Sequence, residues 1–317
     1  MSEYFLGVDG GQTSTVAVIG DESGGIAGWA TAGPCNHVGA SEGRAKFLRV
    51  MKQCLSQAAA RAGFDAGTRP HFKAACLGMS GGPDDKAALL AELIDADRLN
   101  VTHDAKIALA GALEGEPGII VIAGTGSIAY GENAHGEAAR AGGWGYIYGD
   151  EGGGFDIARQ AVRSVLREHE GWGPRTALSP AVIELTGATD ANDALHRLYT
   201  TEWPRSRVAE MAMAVDRIAS EGDPIAADIL RQAAQQLALL AASVRRQLWG
   251  EGAVRIAHVG GVFQSEILLD RFRTLILLDG EAETEAPRHG PAAGALILAY
   301  RLAGLETMPH ALTEIRN

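Results

Sequence analysis

The segment Ile119–Gly154 reads IIVIAGTGSIAYGENAHGEAARAGGWGYIYGDEGGG. It opens with a short apolar run, which predicts a buried strand, and continues into repeated glycine turns that carry hydroxyl and carboxylate groups. Glycine adopts backbone angles that side chains forbid, and it lets main-chain N–H groups approach a ligand closely. The segment is therefore predicted to hold a small molecule. Its turn glycines include Gly124, Gly126, Gly143, Gly145 and Gly149.

Two further glycine turns follow apolar runs elsewhere in the chain. Near the N-terminus, two β-type runs are joined by Asp9-Gly10-Gly11-Gln12-Thr13, which predicts a hairpin with free amides and hydroxyls at its tip. Such a tip suits phosphate, although an ordinary Gly-Gly hairpin turn without chemical function is the alternative. The third turn, Gly260-Gly261, follows the run at residues 254–259. Three glycine turns at strand ends favour a ligand site.

The bulk composition favours a protein that acts on a small molecule. The chain has 317 residues, of which 46% are hydrophobic, and this suffices for two medium domains. A formal net charge of −11 argues against partners that are nucleic acids or anionic membranes. Three cysteines without CxxC spacing argue against a disulfide framework or a structural zinc site. Because neither a signal peptide nor a long apolar run is present, we expect a soluble cytoplasmic protein.

The pattern of elements predicts an α/β fold that repeats once. Residues 1–113 predict three strands, a long helix and then alternating strands and helices, with the ligand edge at the strand ends. Strand, turn and strand recur from residue 117, which indicates two related halves. The last strands and helices of this pattern are a helix from Asp223-Pro224 to Gly250, a strand at 254–259, a helix at 263–278 and a small-residue helix at 291–300.

Two common nucleotide motifs are excluded. No Gly-Lys pair occurs, so the P-loop pattern GxxxxGK[ST] is missing. The sequence Gly124-Thr-Gly-Ser-Ile-Ala129 matches GxGxxA, but a second strand follows it where a dinucleotide-binding fold requires a helix.

Four motifs in order give the chain a resemblance to a known family over nearly its whole length. It resembles the N-acetylglucosamine kinase and BadF-type ATPase branch of the superfamily of sugar kinases, heat-shock chaperones and actin. The two phosphate motifs of that family correspond to residues 9–13 and Gly124-Thr-Gly-Ser127. Its adenosine motif corresponds to His258-Val-Gly-Gly-Val-Phe-Gln-Ser265, and its sugar-binding loop to Gly142-Gly-Trp-Gly-Tyr-Ile-Tyr-Gly-Asp-Glu151.

The resemblance implies a fold of two ribonuclease-H-like, actin-like ATPase domains that flank a central cleft. On this interpretation the first domain spans residues 1–113, with a C-terminal helix at 291–317 packing back on it, and the second spans 114–290. It also implies a homodimer.

The resemblance further implies ATP-dependent phosphorylation of an amino sugar, with N-acetylglucosamine converted to its 6-phosphate. Asp104 corresponds to the catalytic aspartate that accepts the proton of the sugar hydroxyl, whereas its alternative role is a helix N-cap. Asp9 would hold Mg²⁺ through water. The nucleotide would contact Gly10, Gly11, Gln12, Thr13, Thr125, Gly126, Ser127, Gly222, Gly260, Gly261 and Ser265. The sugar would contact Asn36, Asp104, Gly143, Trp144, Gly145 and Asp150, although the ring of Trp144 favours packing in the core.

Several alternatives remain open at this point. Glucosamine and N-acetylmuramic acid are alternative acceptors, because Gly153 replaces a serine that is frequent in the family and Gln12 replaces a glycine. A dehydratase-activating ATPase would need cysteines placed to hold an iron–sulfur cluster, and Cys35, Cys54 and Cys76 do not fit. A nucleotide-binding regulator that has lost catalysis is the remaining alternative.

Overall fold

The computed structural model describes residues 3–35, 41–65, 67–81, 83–250, 252–280 and 282–310. The chain divides into two compact units, Met1–Pro117 with Pro287–Asn317, and Gly118–Ala286. Among the helices of these ranges, none is both long enough and apolar enough to cross a membrane.

The first unit is built around a five-stranded sheet in the order β3-β2-β1-β5-β7. Strands β1 to β3 form an antiparallel meander, while β5 and β7 run parallel to β1. The carboxyl ends of β1, β5 and β7 therefore share one edge of the sheet. The elements are β1 Tyr4–Gly10, β2 Thr15–Asp21, β3 Ile26–Ala32, α1 Ser41–Arg61, β4 His71–Phe72, β5 Ala74–Met79, α2 Ala87–Leu93, β6 Asp95–Ala96, β7 Leu99–His103 and α3 Asp104–Ala112.

The second unit repeats this arrangement with more helices. Its sheet has the order β10-β9-β8-β11-β12, with β8 to β10 antiparallel and β11 and β12 parallel to β8. The two sheets thus share one order and one set of directions, as expected for related halves. The elements are β8 Gly118–Ala123, β9 Ser127–Glu132, β10 Ala138–Gly142, α4 Gly154–His169, α5 Leu178–Thr186, α6 Ala191–Leu198, α7 Arg205–Ser220, α8 Pro224–Leu248, β11 Val254–Val259, a 3₁₀ helix Gly261–Gln264, α9 Glu266–Leu278 and β12 Ala282–Glu285.

The last helix, α10 (Pro291–Leu302), belongs to the first unit and packs on its sheet. Glycines permit the close approach. A Cβ on Gly7 of β1 would lie 2.7 Å from the carbonyl oxygen of Ala292, and a Cβ on Gly294 would lie 2.8 Å from the Cα of Gly111 in α3. The Tyr300 hydroxyl donates to the carbonyl oxygen of Asp21 at 2.8 Å, which fixes the helix along the sheet.

Each sheet is covered by apolar side chains that the sequence pattern had placed inside. On the predicted face of α1, Phe47, Met51, Cys54 and Ala58 are fully buried against one side of the first sheet, and Leu55 is half-buried. The long helix α8 contributes Leu237 and Val244 to the core of the second unit. Both amphipathic patterns are confirmed, and burial of such side chains supplies the main driving force for folding.

The structure corrects three details of the predicted elements. The helix predicted over 291–317 ends at Leu302, and residues 303–310 after it are not helical. A single helix at 263–278 is wrong, because a 3₁₀ turn comes first and Ser265 then begins α9 as its N-cap, its hydroxyl oxygen accepting from the Leu268 N–H at 3.3 Å. Strand β10 was missed, since its sequence AARAG carries no β-branched or aromatic residue. Its pairing with β9 overrides that weak propensity.

Replacing Gly294 with alanine should destabilise the protein, although alanine normally favours a helix by roughly 1 kcal/mol. The new Cβ would meet the backbone of α3, so the helices would have to separate. Thermal unfolding measures the effect. Gly33→Ala is the control, because nothing lies within 4 Å of its added Cβ. A melting temperature of Gly294→Ala equal to or above that of the parent would contradict the close helix contact.

Candidate active site

Two aspartates lie at the carboxyl edge of the first sheet. Asp9 in β1 pairs with Gly78 in β5, which pairs in turn with Thr102 in β7, and Asp104 follows β7 directly. Both side chains are half-buried. Register alone therefore brings together two carboxylates that are 95 positions apart in sequence, from position 9 to position 104.

Burial governs the protonation of both groups. It raises the pKa of Asp9 from 3.8 to about 7, and the charge of Asp104 adds to the increase. Burial also raises the pKa of Asp104, against opposing hydrogen bonds from the Ala105 N–H at 2.9 Å and from the Ser80 side chain. A raised pKa makes a carboxylate more basic, so both groups are poised to attract a proton or a cation.

Asp104 is the first residue of α3, and His103 occupies the N-cap position. The alternative interpretation of Asp104 as an N-cap is therefore wrong. Helix dipoles favour an acidic group in the first turn. The start of α3 thus positions the Asp104 carboxylate. Within the helix this carboxylate accepts a hydrogen bond from the N–H of the neighbouring residue Ala105.

The predicted hairpin at residues 9–13 is confirmed. The Gly11 N–H donates to the Ser14 carbonyl oxygen at 2.9 Å, and the Ser80 N–H donates to the Gly10 carbonyl oxygen at 3.0 Å. Gln12 and Thr13 are exposed at the tip. The hairpin thus exposes the Thr13 hydroxyl at its tip, whereas Asn36 lies outside the described residues.

In the second unit, helix α4 begins directly on the glycine turn at residues 124–127. The N–H groups of Gly154 and Phe155 donate to the carbonyl oxygens of Gly124 and Thr125 at 2.8 and 3.0 Å. Helix starts leave such N–H groups without helical partners, and here the turn satisfies them. The turn is fixed through its carbonyl oxygens by the start of a helix.

Main-chain atoms pack against one another around this turn. A Cβ on Gly153 would lie 2.7 Å from the carbonyl carbon of Gly126, and a Cβ on Gly260 would lie 2.6 Å from that of Ala123. Real Cβ atoms are essentially never found this close. The glycine turns 124–127, 152–154 and 260–261 are therefore brought together in space.

Two predicted ligand contacts are occupied by internal bonds. The Ser127 hydroxyl donates to the Glu151 carbonyl oxygen at 2.6 Å, so in this structure it secures the turn and does not project outward. Asp150 is buried, has a positive φ of 62°, and is ion-paired with Arg205. Its carboxylate lies against Gly126.

The loop at residues 143–148 exposes its aromatic side chains. Trp144 is 68% exposed and Tyr148 is 86% exposed, so the expectation that the Trp144 ring packs in the core is wrong. The Arg140 guanidinium lies 4.8 Å from the centroid of that ring. Gly143 and Gly145 have φ of 72° and 83°, backbone angles that explain the glycines in this loop.

The glycine turn at residues 260–261 and the turn before α8 have the following geometry. Gly260 has a φ of 113°, Gly261 opens the 3₁₀ helix, and Ser265 is buried as the cap of α9. Gly222 has a φ of 102° with open space around it. The following Asp223 accepts from the N–H groups of Ile225 and Ala226, which confirms the predicted helix start.

Sequence reasoning missed three polar residues around these turns. Ser80 follows β5 and hydrogen-bonds Asp104, Arg205 pairs with Asp150, and the Asp156 carboxylate accepts from the Gly152 N–H at 3.0 Å. The position of Ser80 at the end of a parallel strand could have indicated its role. Nothing in the local sequence links Arg205 to Asp150, because 55 positions separate them.

A magnesium ion suits the carboxylates of the first unit. Over the described ranges, no cluster of three or more His, Cys, Asp or Glu side chains forms a protein cage for a metal. Magnesium needs only one or two carboxylates besides phosphate and water. The mutual repulsion of Asp9 and Asp104 would be relieved by a cation, so the residues fit this ion.

Comparison with known proteins decides the family. Residues 6–299 match the model of the BadF/BadG/BcrA/BcrD ATPase family. The chain belongs to this family. Among family relatives, it is 30% identical over 305 residues to an N-acetylmuramic acid/N-acetylglucosamine kinase of Clostridium acetobutylicum, covering 94% of this chain and 98% of that protein. It is 29% identical over 314 residues to an N-acetyl-D-glucosamine kinase of Dictyostelium discoideum, covering 94% and 98% respectively.

Solved structures show the same fold in proteins related to this BadF-type chain. A candidate N-acetylglucosamine kinase of Chromobacterium violaceum superposes with a TM-score of 0.74 at 28% identity, covering 94% of this chain and 99% of that one. A ROK family glucokinase of Streptomyces griseus superposes with a TM-score of 0.54 at 17% identity, covering 93% and 98%, which shows a shared mixed α/β fold.

The stability of the metal-free protein should fall as Asp9 ionises. A carboxyl with a raised pKa stabilises the fold fully below its unfolded pKa near 4 and loses that contribution as the pH rises through about 7. Asp9→Asn should therefore raise the melting temperature more at pH 8 than at pH 5, measured without Mg²⁺ or nucleotide. Exposed Asp270→Asn is the control. Equal changes in melting temperature at both pH values would contradict the raised pKa of Asp9.

Replacing Gly153 with serine should disturb the glycine turn at 124–127, because its Cβ would meet Gly126. Gly290 offers a matched control. It is the N-cap of α10 with φ −75° and ψ 169°, close to the −75° and 165° of Gly153, and it has open space. Serine at an N-cap normally stabilises a helix slightly over glycine. Gly153→Ser should lower the melting temperature and weaken ATP binding, whereas Gly290→Ser should do neither; equal behaviour of the two would refute the contact.

Proposed function

We propose that this protein is an ATP-dependent amino-sugar kinase that converts N-acetylglucosamine to its 6-phosphate. The observation that carries the proposal is Asp104, a half-buried carboxylate of raised pKa beside a second carboxylate and a glycine hairpin. The family is one of ATPases, and the relatives from Clostridium and Dictyostelium are kinases of N-acetylglucosamine.

Asp104 acts as the general base in this proposal. The sugar hydroxyl attacks the γ-phosphate of ATP, the bond from the γ-phosphorus to the β-phosphate oxygen breaks, and ADP leaves. A carboxylate within hydrogen-bonding distance accepts the proton that the hydroxyl loses. Burial raises the pKa of Asp104 and so increases its basicity. The hydrogen bonds from Ala105 and Ser80 favour the ionised form, which keeps the base available for the proton.

The nucleotide phosphates are assigned to two glycine turns, one in each unit. The hairpin at residues 9–13 offers the exposed Thr13 hydroxyl and main-chain amides. The carbonyl oxygens of Gly124 and Thr125 accept hydrogen bonds from the first N–H groups of α4. These bonds hold the turn at 124–127 in place before a ligand binds. Asp9 would hold Mg²⁺, which when bound offsets the negative charge of the phosphates. The adenosine is assigned to Gly222, Gly260, Gly261 and Ser265.

The sugar is assigned to the loop at 143–150 and to Asp104. Exposed Trp144 lies in this loop, and its backbone is shaped by glycines at 143 and 145. Glucosamine and N-acetylmuramic acid remain the alternative acceptors, and a relative from Vibrio cholerae is a glucosamine kinase, 27% identical over 261 residues. The same proposal includes two actin-like domains that flank a cleft, a cytoplasmic location and a homodimer.

One observation disfavours a dehydratase-activating ATPase. Such a protein needs cysteine thiolates that can reach an iron–sulfur cluster. Cys35, Cys54 and Cys76 are all buried inside the first unit, and burial raises the pKa of each thiol. Thiols of this kind are poor metal ligands.

The purified protein with Mg-ATP should phosphorylate amino sugars, and Asp104→Asn should reduce kcat by about 10²- to 10⁴-fold while ATP binding is retained. A panel of N-acetylglucosamine, glucosamine and N-acetylmuramic acid, with product regiochemistry read by phosphorus NMR, identifies the acceptor. Calorimetry measures ATP affinity.

Asp97→Asn is the control for this experiment, because Asp97 pairs with His71 and Lys73 on the surface. If no sugar in the panel is phosphorylated, or if Asp104→Asn turns over as fast as the parent, the kinase proposal is wrong.

A further inference from the structure

We propose that Arg205 is a positioning residue that holds the sugar-binding loop at residues 143–150 in its binding conformation through Asp150. This proposal rests on the proposed kinase function for the identity of the loop's ligand. The contacts that carry it lie entirely within the second unit.

The ion pair between Arg205 and Asp150 closes the end of the loop. Asp150 is 5% exposed and has a φ of 62°, a backbone angle that side-chain-bearing residues adopt only when the surroundings enforce it. Arg205 is the first residue of α7, directly after the N-cap Pro204, so its backbone is anchored on a helix. Its Nη2 pairs with Asp150 Oδ2. A rigid element thus holds the loop at a conformationally demanding residue.

Arg205 also contacts the middle of the same loop. Its guanidinium carbon lies 5.2 Å from the centroid of the Tyr146 ring, a cation–π geometry. That ring packs edge-on against Phe155 in α4, with centroids 5.1 Å apart. Arg205 therefore contacts the loop at two points, the Tyr146 ring and the Asp150 carboxylate. The exposed Trp144 precedes both residues in the sequence of the loop.

The pair lies against the phosphate turn as well. A Cβ built on Gly126 would be 2.6 Å from Arg205 Nη2 and would meet Asp150 Oδ2. The turn itself is held independently by α4 through the carbonyl oxygens of Gly124 and Thr125. Loss of Arg205 should consequently release the loop more than the turn, and sugar binding should suffer more than ATP binding.

The chain offers a closely matched control on the same helix. Arg207 is exposed, stacks on the Trp203 ring at 4.1 Å and donates to the Glu202 carbonyl oxygen at 2.8 Å. It therefore makes the same kinds of contact as Arg205, a cation–π contact and a hydrogen bond, but with residues outside the loop.

Calorimetry measures the affinity for N-acetylglucosamine in the absence of nucleotide and, in a separate titration, the affinity for ATP. The two affinities together test the proposal. Because an unpaired buried carboxylate is strongly unfavourable, Arg205→Met should weaken sugar binding by about tenfold or more. ATP affinity should change by no more than about twofold, well below that tenfold step. Arg205→Lys should recover part of the sugar affinity, and Arg207→Met should match the parent. Equal losses of sugar and ATP affinity, or equal effects of Arg205→Met and Arg207→Met, would overturn the proposal.

A double-variant cycle distinguishes action through Asp150 from direct contact with the sugar. If Arg205 acts mainly through Asp150, Arg205→Met should cost less sugar affinity in the Asp150→Asn background than in the parent, where only the Tyr146 contact is left to lose. Fully additive losses would show that Arg205 acts independently of Asp150 and would refute the proposal that it positions the loop through Asp150.

Hydrogen exchange in the ligand-free protein separates this proposal from the kinase function. Backbone amides at 143–150 should exchange faster in Arg205→Met than in the parent or in Arg207→Met, whatever the protein binds. If the parent binds no amino sugar but this difference is found, the kinase proposal fails and the positioning role stands. Unchanged exchange in Arg205→Met would refute the positioning role even if the parent is a kinase.

Discussion

The docking of a helix start on a glycine turn determines the geometry of the candidate site in the second unit. Helix α4 donates its first free N–H groups to the carbonyl oxygens of Gly124 and Thr125, and the turn thereby satisfies a helix end that would otherwise need a capping side chain. The N-cap Gly153 makes no side-chain cap, and its position against Gly126 leaves no room for one. One contact thus explains both the shape of the turn and the glycines around it.

The first unit relies on a different constraint, the confinement of two like charges. Parallel pairing of β1, β5 and β7 brings Asp9 and Asp104 to one edge, where burial raises the pKa of both. Such an arrangement is unfavourable for the isolated fold, and functional sites commonly retain arrangements of this kind. The candidate site residues of the first unit are therefore two carboxylates that repel each other. Those of the second unit are main-chain groups held in place by hydrogen bonds.

Sequence patterns predicted the architecture well because strong local signals agreed with it. Most strands and helices, the amphipathic face of α1 and the start of α8 at Asp223-Pro224 followed from periodicity and capping. The predictions failed where tertiary contacts decide. The small-residue strand β10 exists through its partner β9, and Trp144 is exposed although its type favours burial. The ion pair between Arg205 and Asp150 leaves no pattern in the local sequence, because only the folded chain brings the two residues into contact.

The return of α10 to the first unit has a consequence for biosynthesis. A ribosome releases the strands of the first sheet early, but the helix that covers Gly7 and Val18 is made only after residue 290. The second unit, Gly118–Ala286, is continuous and is synthesised before that helix. Until α10 has been made, one side of the early sheet lacks its cover, and exposed apolar surface of this kind favours aggregation of a nascent chain.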